Sequence, residues 1–414
     1  MNSNNTSAST QAQAPAADPE GRMIVGVDLA KKVFQVCYRI PGTKKIINHQ
    51  LTRAKFREFL MDPNMPRMLV AMEACGSSHY WGNFCLKYHH EPMIIPAETV
   101  HGYQLGNKDD ANDARCIWQV AFMPGVKTVR VRTPDNMAMM ALLRFRETLK
   151  KSKNMLVSGV RAMLYEMGKA TPEGAEAVMS KLKEFIEELD REEPDSLRSE
   201  VLKLLATNAC NRLKAVISSE QTIDDFITGH AGSDKDCRLL MTIPFIGPVA
   251  ALAIATVMAC PDNFGNGRQF ADYCGFAPCH TGTGGKVAVL GLPAKGNRCL
   301  KRVLYEPAVG MYTRAKLSLP GDDDVPAALS DWIMSMSDRK PMKKVVCAIA
   351  NKLCRISWAV LKSGSPYEQE KSSLIPPSVQ GPDGKVRTCK YGKKSDAKKL
   401  KEAIAAAEAV AMRA

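Results

Sequence analysis

The hydrophobic pattern changes its period along the chain. Between residues 23 and 131, short apolar runs rich in β-branched residues alternate with stretches of helical spacing. "MIVGVDL", "VFQVCYRI" and "KIINHQL" read as three successive strands, since runs of this length and type suit a pleated, half-buried surface. "RAKFREFL" then has helical spacing, "PRMLVAMEA" is strand-like and "SSHYWGNFCLKYHH" helical. "PMIIPA" follows as a strand, "DANDARCIWQVAFM" as a helix and "VKTVRVR" as a last strand. Three strands and then strand–helix alternation predict an α/β layer, residues 23–133, around a mixed sheet.

From Pro134 onward the period is helical. "DNMAMMALLRFRETLKKSKNMLVSGVRAMLYEMG" has no interior proline, and the charged "SKLKEFIEELDREEPDSLRSEVLKLL" comes after it. Helices this long and thinly apolar pair with one another, so residues 134–230 are expected to form a coiled-coil helical arm, a hairpin suited to dimerisation. Residues 231–362 read as a mostly α unit. It holds "LLMTIPFIGPVAALAIATV", a Gly/Thr-rich loop in "PCHTGTGGK", the basic amphipathic helix "KGNRCLKRVLYEPAVGMYTRAK" and the helix "KKVVCAIANKLCRISWAVL". Residues 363–414 are expected to be a linker and a basic C-terminal helix opened by an N-cap serine in "SDAKKLKEAIAAAEAVAMRA". Residues 1–22 are polar and Ala/Pro-rich with no apolar core, which predicts a disordered leader and no signal peptide.

Composition narrows the class. The chain has 414 residues, enough for two or three domains at about 150 residues each. No apolar run of about 18 residues appears, so no membrane span and no membrane partner are expected. The 13 cysteines are scattered and include no CxxC pair, which argues for reduced thiols and a cytoplasmic setting. A net charge of +14 favours a polyanion as partner, nucleic acid ahead of a lipid surface.

Candidate chemistry lies in the acidic residues. Asp28 and Glu73 each close an apolar strand, which places a charge at the end of the sheet beside a crevice. Asp110 and Asp113, in "NKDDANDA", stand three apart at a helix start and hence on one face. Acids in a first helical turn are commonly capping residues. The pairing with two strand-end acids points instead to a metal trap. Four carboxylates repel one another unless something cancels their charge, and a helix N-terminus supplies only about half a unit. Hard divalent cations with oxygen ligands would do so, Mg2+ (or Mn2+) being the common choice around phosphates. Two such ions about 4 Å apart polarise a phosphodiester and stabilise its leaving oxygen.

"VGVDLAKKVFQV", "AMEACGSSHYWG" and "KDDANDA" together resemble the DEDD insertion-sequence transposases related to the Piv invertase, the IS one-ten family in its eleven-eleven branch. The resemblance covers roughly residues 23–360. It implies an N-terminal RuvC/ribonuclease H-like domain, a coiled coil and a C-terminal transposase domain. Position by position, Asp28, Glu73, Asp110 and Asp113 match the family's metal-binding set. Asp109 falls where the family more often has Thr, and is assigned a supporting part. "TIPFIGPVAALAIA" matches a helix-hairpin-helix-like segment, usually Ile-Pro-Gly-Ile-Gly, in which Phe245 replaces the first glycine and Gly247 remains to meet phosphate. "KGNRCLKRVL" matches the family's basic helix. The family carries a serine, its expected nucleophile on DNA, in the loop of "CGFAPCHTGTGGKVAVLGLPAKGN". Here that serine is absent. Thr283 is the expected substitute, with Thr281 behind it.

The same resemblance implies donor and target DNA as partners, a non-coding bridge RNA that chooses sites by base pairing, and a homodimer or homotetramer. Lys286, Lys295, Arg298, Lys301 and Arg302 are expected to meet backbone phosphates, with Lys343 and Lys344 opening a further helix. Aromatic residues are only 6% of the chain, so base stacking is not the expected grip. A metal-dependent junction resolvase or nuclease using water shares the carboxylates but has no use for the threonine loop. A catalytically inactive nucleic-acid-binding protein is the rival raised by the missing serine. An actin-like sugar kinase shares the opening strand but needs later Gly-rich phosphate loops, and "TGTGGK" lacks the Walker A spacing.

Overall fold

In a computed structural model, residues 22–40, 42–103, 109–191, 197–283, 286–317, 325, 327–368, 379–380 and 386–387 are described. The expected leader, most of the expected linker and the C-terminal helix lie outside them. The chain divides into two units, Met1–Ala138 and Met139–Ala414.

The first unit is built on five strands: β1 (Met23–Asp28), β2 (Val33–Arg39), β3 (Ile46–Thr52), β4 (Met68–Glu73) and β5 (Glu91–Ile95). Their order is β3-β2-β1-β4-β5; β1 pairs antiparallel with β2 and parallel with β4. The mixed α/β sheet is as the alternation predicts. Helices α1 (Arg53–Met61), α2 (Ser78–Lys87), α3 (Ala97–Tyr103) and α4 (Asp110–Val120) complete the unit. Each central strand is buried on both faces, and two apolar clusters result. Val25, Val27, Phe34, Val36, Val70 and Met72 pack with Phe56 and Trp81. On the opposite face Ile24, Cys37 and Leu69 pack with Ala114 and Trp118 of α4.

"VKTVRVR" does not make the sixth strand its alternation predicts. Only Val129 bridges to Ile94, its N–H donating to that carbonyl at 2.7 Å. Val131 is instead drawn against Gly82 of α2, where an added Cβ would lie 2.8 Å from it. Packing outcompetes β-propensity at this edge.

The second unit is helical. It takes most of α5 (Pro134–Glu166), then α6 (Ala175–Arg191), α7 (Leu197–Ser233), α8 (Lys235–Leu240), α9 (Pro248–Met258), α10 (Gly267–Tyr273), α11 (Arg298–Leu317), α12 (Ala327–Ser337) and α13 (Met342–Ser363). Two short strands, β6 (His280–Thr283) and β7 (Lys286–Val289), lie between α10 and α11. The expected two-helix arm is three helices. Gly168, at φ +76°, stops α5, and α6 ends at Arg191. Val160 and Leu164 of α5, Leu182 and Phe185 of α6, and Ala206 and Leu213 of α7 form one apolar cluster. Arg146–Asp224 and Lys153–Glu220 tie α5 to α7. Among the described residues no helix is long and apolar enough to cross a membrane, and the cysteines are free thiols.

Candidate active site

In the first unit the acidic residues are placed by the sheet. Parallel pairing of β1 with β4, with Val27 opposite Met72, brings Asp28 and Glu73 to the same end of adjacent strands. Strand alternation sets Asp28 on the face of Ile24 and Gly26, and Glu73 on the face of Leu69 and Ala71. That is the face against which α4 packs. Gly26 is what lets the helix approach: a Cβ there would fall 2.5 Å from the Trp118 nitrogen and 2.6 Å from the Ala114 oxygen. The Trp118 indole then donates to the Ile24 carbonyl at 3.1 Å.

The start of α4 carries the other two acids. Asp109 is the N-cap; its carboxylate accepts from the Asn112 backbone N–H at 2.8 Å and from the Asn112 amide at 2.7 Å. Asp109 therefore has a structural task, as N-cap aspartates do. Asp110 is exposed and Asp113, one turn on, is half-buried. Cys116 lies one helical turn beyond Asp113 and is buried against the sheet. Burial pushes its thiol up, and the carboxylates of Asp113 and then Glu73 push it further. One side chain thus feels both the helix acid and the strand-end acid. Burial likewise raises the Cys37 thiol, to about 11, against an opposing pull from Arg115.

A donor set made only of carboxylate oxygens fits a hard divalent cation. Among the described residues, however, no three acidic, histidine or cysteine side chains stand close enough to hold a metal. The four acids share one region of the unit without closing into a coordination shell. Asn107 and Lys108, in the segment leading into α4, lie outside the described residues.

In the second unit the expected Gly/Thr-rich loop is a hairpin. β6 and β7 pair antiparallel, with Thr281 opposite Ala288 and Thr283 opposite Lys286. Alternating Thr and Val residues favour strands, and the glycines alone had suggested a loop. Gly284, Gly285 and the side chains of Thr283 and Lys286 lie outside what is described; Thr281 is exposed. The base of the hairpin is closely held. Cys279 N–H donates to the Gly291 carbonyl at 3.1 Å and Leu290 N–H to the Cys279 carbonyl at 2.8 Å. Below it Gly275 (φ +80°) and Gly296 (φ +122°) meet back to back; a Cβ on Gly296 would sit 2.7 Å from the Gly275 Cα. No other residue fits both the positive φ and the approach.

The expected phosphate-facing cations divide. Lys295 and Arg298 are exposed. Lys301 instead turns inward, its amine donating to the Pro293 carbonyl at 2.9 Å, and Arg302 pairs with Glu147 of α5. A charge engaged within the fold is less available to phosphate. Lys343 and Lys344 are exposed in the first turn of α13. Gly247 is the exposed N-cap of α9, with Pro248 at its first position. Phe245 adopts φ +65°, a conformation natural to the glycine it stands in for, and its ring lies against Gly310 of α11.

Two further polar residues border the acidic region. Gln35 stands opposite Asp28 in register, is only 8% exposed and donates to Asn48 at 2.7 Å. Asn48 in turn donates to the Ala111 carbonyl of α4 at 2.8 Å. Sequence reading misses both, because polar residues near a sheet's edge resemble a solvated face.

Comparison with known proteins bears on both regions. Residues 25–168 match a transposase family model of the DEDD, IS110 type, and residues 237–320 match the model described as Transposase IS116/IS110/IS902 family. The chain is 32% identical over 344 residues to the probable family 20 transposase of Pseudomonas aeruginosa, covering 83% of this chain and 98% of the relative. It is 28% identical over 354 residues to the transposase for insertion sequence element IS1111A of Coxiella burnetii, at 83% and 91% coverage. Identity to the pilin gene-inverting protein of Moraxella bovis is 22% over 365 residues, at 83% and 97%.

Proposed function

Because the chain belongs to the IS116/IS110/IS902 family of transposases, enzymes that cut DNA to recombine insertion elements, we propose that its carboxylates act on a DNA phosphate together with a hairpin hydroxyl. The first unit serves as the RuvC-like domain. Asp28, Glu73, Asp110 and Asp113 would hold Mg2+ or Mn2+, and the ion would supply charge stabilisation at the phosphate and at the departing oxygen. What supports this reading is the parallel register that ends β1 at Asp28 beside β4 at Glu73, on the face where α4, whose first turn carries Asp110 and Asp113, packs against Gly26.

The nucleophile is the Thr283 hydroxyl, with Thr281 as the alternative. Its oxygen forms a bond to phosphorus, the strand's own oxygen leaves as a free hydroxyl, and the threonine proton balances that departure. One phosphodiester replaces another, so rejoining needs no outside energy source. The clamp of Gly275 against Gly296 holds the hairpin base, and the fixed base limits the search of its hydroxyls. Exposed Lys295, Arg298, Lys343 and Lys344 and the amides around Gly247 take backbone phosphates. Site choice is left to a bridge RNA that pairs with donor and target DNA.

Cutting two duplexes requires more than one copy. Leu197, Val201, Leu204 and Leu205 recur at helical spacing along α7 and are exposed, a stripe suited to coiled-coil pairing of the arms in a dimer or tetramer.

The test is a nicked or suicide DNA substrate with the flanking RNA supplied. Wild-type protein should form a covalent adduct that resists denaturation. Thr283→Ala should lose the adduct while still binding DNA, and Asp113→Asn should lose both adduct and cleavage. Cleavage by Thr283→Ala at the wild-type rate, with no adduct in either protein, would assign the attack to water.

A further inference from the structure

We infer that Gln35 and Asn48 are positioning residues, a hydrogen-bond relay that sets the acid-bearing turn of α4 for divalent-metal binding; the inference rests on the metal reading above. Asp28, at the end of β1, stands directly opposite Gln35 on β2. Gln35 faces Gln50 on β3, and Asn48, two residues away, shares its side of the strand. From there the next contact is Ala111, flanked by Asp110 and, two residues on, Asp113. The relay therefore joins the strand position beside one carboxylate to the helical turn that carries two others.

Its direction is fixed by chemistry. A buried amide must find partners, and Gln35 finds Asn48: its Nε2 donates to Oδ1 at 2.7 Å. That orients Asn48 with its oxygen toward β2 and its NH2 toward α4. The NH2 then donates to the Ala111 carbonyl at 2.8 Å. A carbonyl of a first helical turn has no need of a second donor for helix formation, since Ala111 already lies in reach of the helix's own N–H groups. What the side-chain contact adds is placement. Helix ends fray, and this one carries closely spaced acids that repel one another. The Asp109 cap acts within the helix, whereas Asn48 ties the turn to the sheet.

Without the tether the first turn would have to be ordered when metal binds, and that cost appears as weaker affinity. Residues that orient ligands from behind change metal affinity by about ten- to a hundredfold. The experiment measures Mn2+ binding to the full chain by electron paramagnetic resonance, together with far-ultraviolet circular dichroism. Asn48→Leu and the milder Asn48→Ser, which is too short to span the gap, should each raise the Mn2+ dissociation constant about tenfold with the helical signal unchanged. Gln35→Met should do the same by releasing Asn48. A role confined to stability would lower the melting temperature and leave Mn2+ affinity alone. If Asp28→Asn abolishes binding while folded Asn48→Ser binds like wild type, the relay is overturned and the metal reading stands. If Asp28→Asn itself binds like wild type, the metal reading fails and the relay falls with it.

Discussion

In the N-terminal unit the acidic side chains sit where parallel strands end and a packed helix begins; in the C-terminal unit the candidate hydroxyls ride on a two-stranded hairpin gripped at its base. The first arrangement draws on a sheet buried on both faces, so each acid is located by strand register and core packing. The second is located by two glycines, a few backbone hydrogen bonds and the Lys301 amine. Functional groups on elements packed into a core are held more tightly than groups on a two-stranded hairpin, which has little stability of its own. A charge cluster that must resist its own repulsion gains from rigidity, whereas for the hydroxyl proposed above to attack DNA the fixed point is the base of its hairpin.

Substitutions at the contact glycines would break each side of this contrast. Gly26→Val should have the largest effect, because its side chain meets the backbone of α4 and not a flexible neighbour. A loss of about 3 kcal/mol is expected, read as an earlier urea transition of the first unit. Gly296→Val should cost about 2 kcal/mol, from positive φ and from contact with Gly275. Limited proteolysis should then cut the hairpin while α4 stays protected. Equal protection of both regions in either variant would erase the distinction drawn here.

A smaller effect sharpens the electrostatic side. The second unit holds an ill-placed cation: burial lowers the Lys352 amine to about 8, and Arg355 adds to the shift. Its Nζ lies 5.6 Å from the centre of the Trp332 ring. The unfolded chain keeps this proton up to its ordinary value of 10.5, while the folded chain releases it near 8. The unfolded state thus binds more protons between those values, and stability rises with pH across that window. Lys352→Met should stabilise the unit by about 1 kcal/mol at pH 7, a figure held down by solvent screening. The gain should fade above pH 10.5. A gain independent of pH would point to packing instead.

Much of the first unit was legible because its strands are apolar runs that stop at an acid, as β1 does at Asp28 and β4 at Glu73. Those ends needed no tertiary knowledge. Gly26 was not legible as a contact point, since a glycine in an apolar strand reads only as a weak spot until a helix is seen lying on it. Gln35 and Asn48 were hidden for the opposite reason: their polarity looks like exposure. In the second unit the glycines of "TGTGGK" masked the strand preference of their neighbours, and the run of Glu and Lys concealed the division between α6 and α7. Lys301 shows the limit of charge counting, because only the fold reveals that its amine faces a carbonyl.

Phe245 carries one more consequence. A phenyl side chain can occupy a left-handed turn there because Gly310 leaves a hollow in the helix opposite. The two positions should trade bulk for bulk: chains that restore glycine at the turn are released to carry alanine or serine at the helix. Grafting a relative's turn alone into this protein would therefore leave a void, and grafting its helix alone would strand the ring. Engineered exchanges between members of this group should move the pair as one cassette.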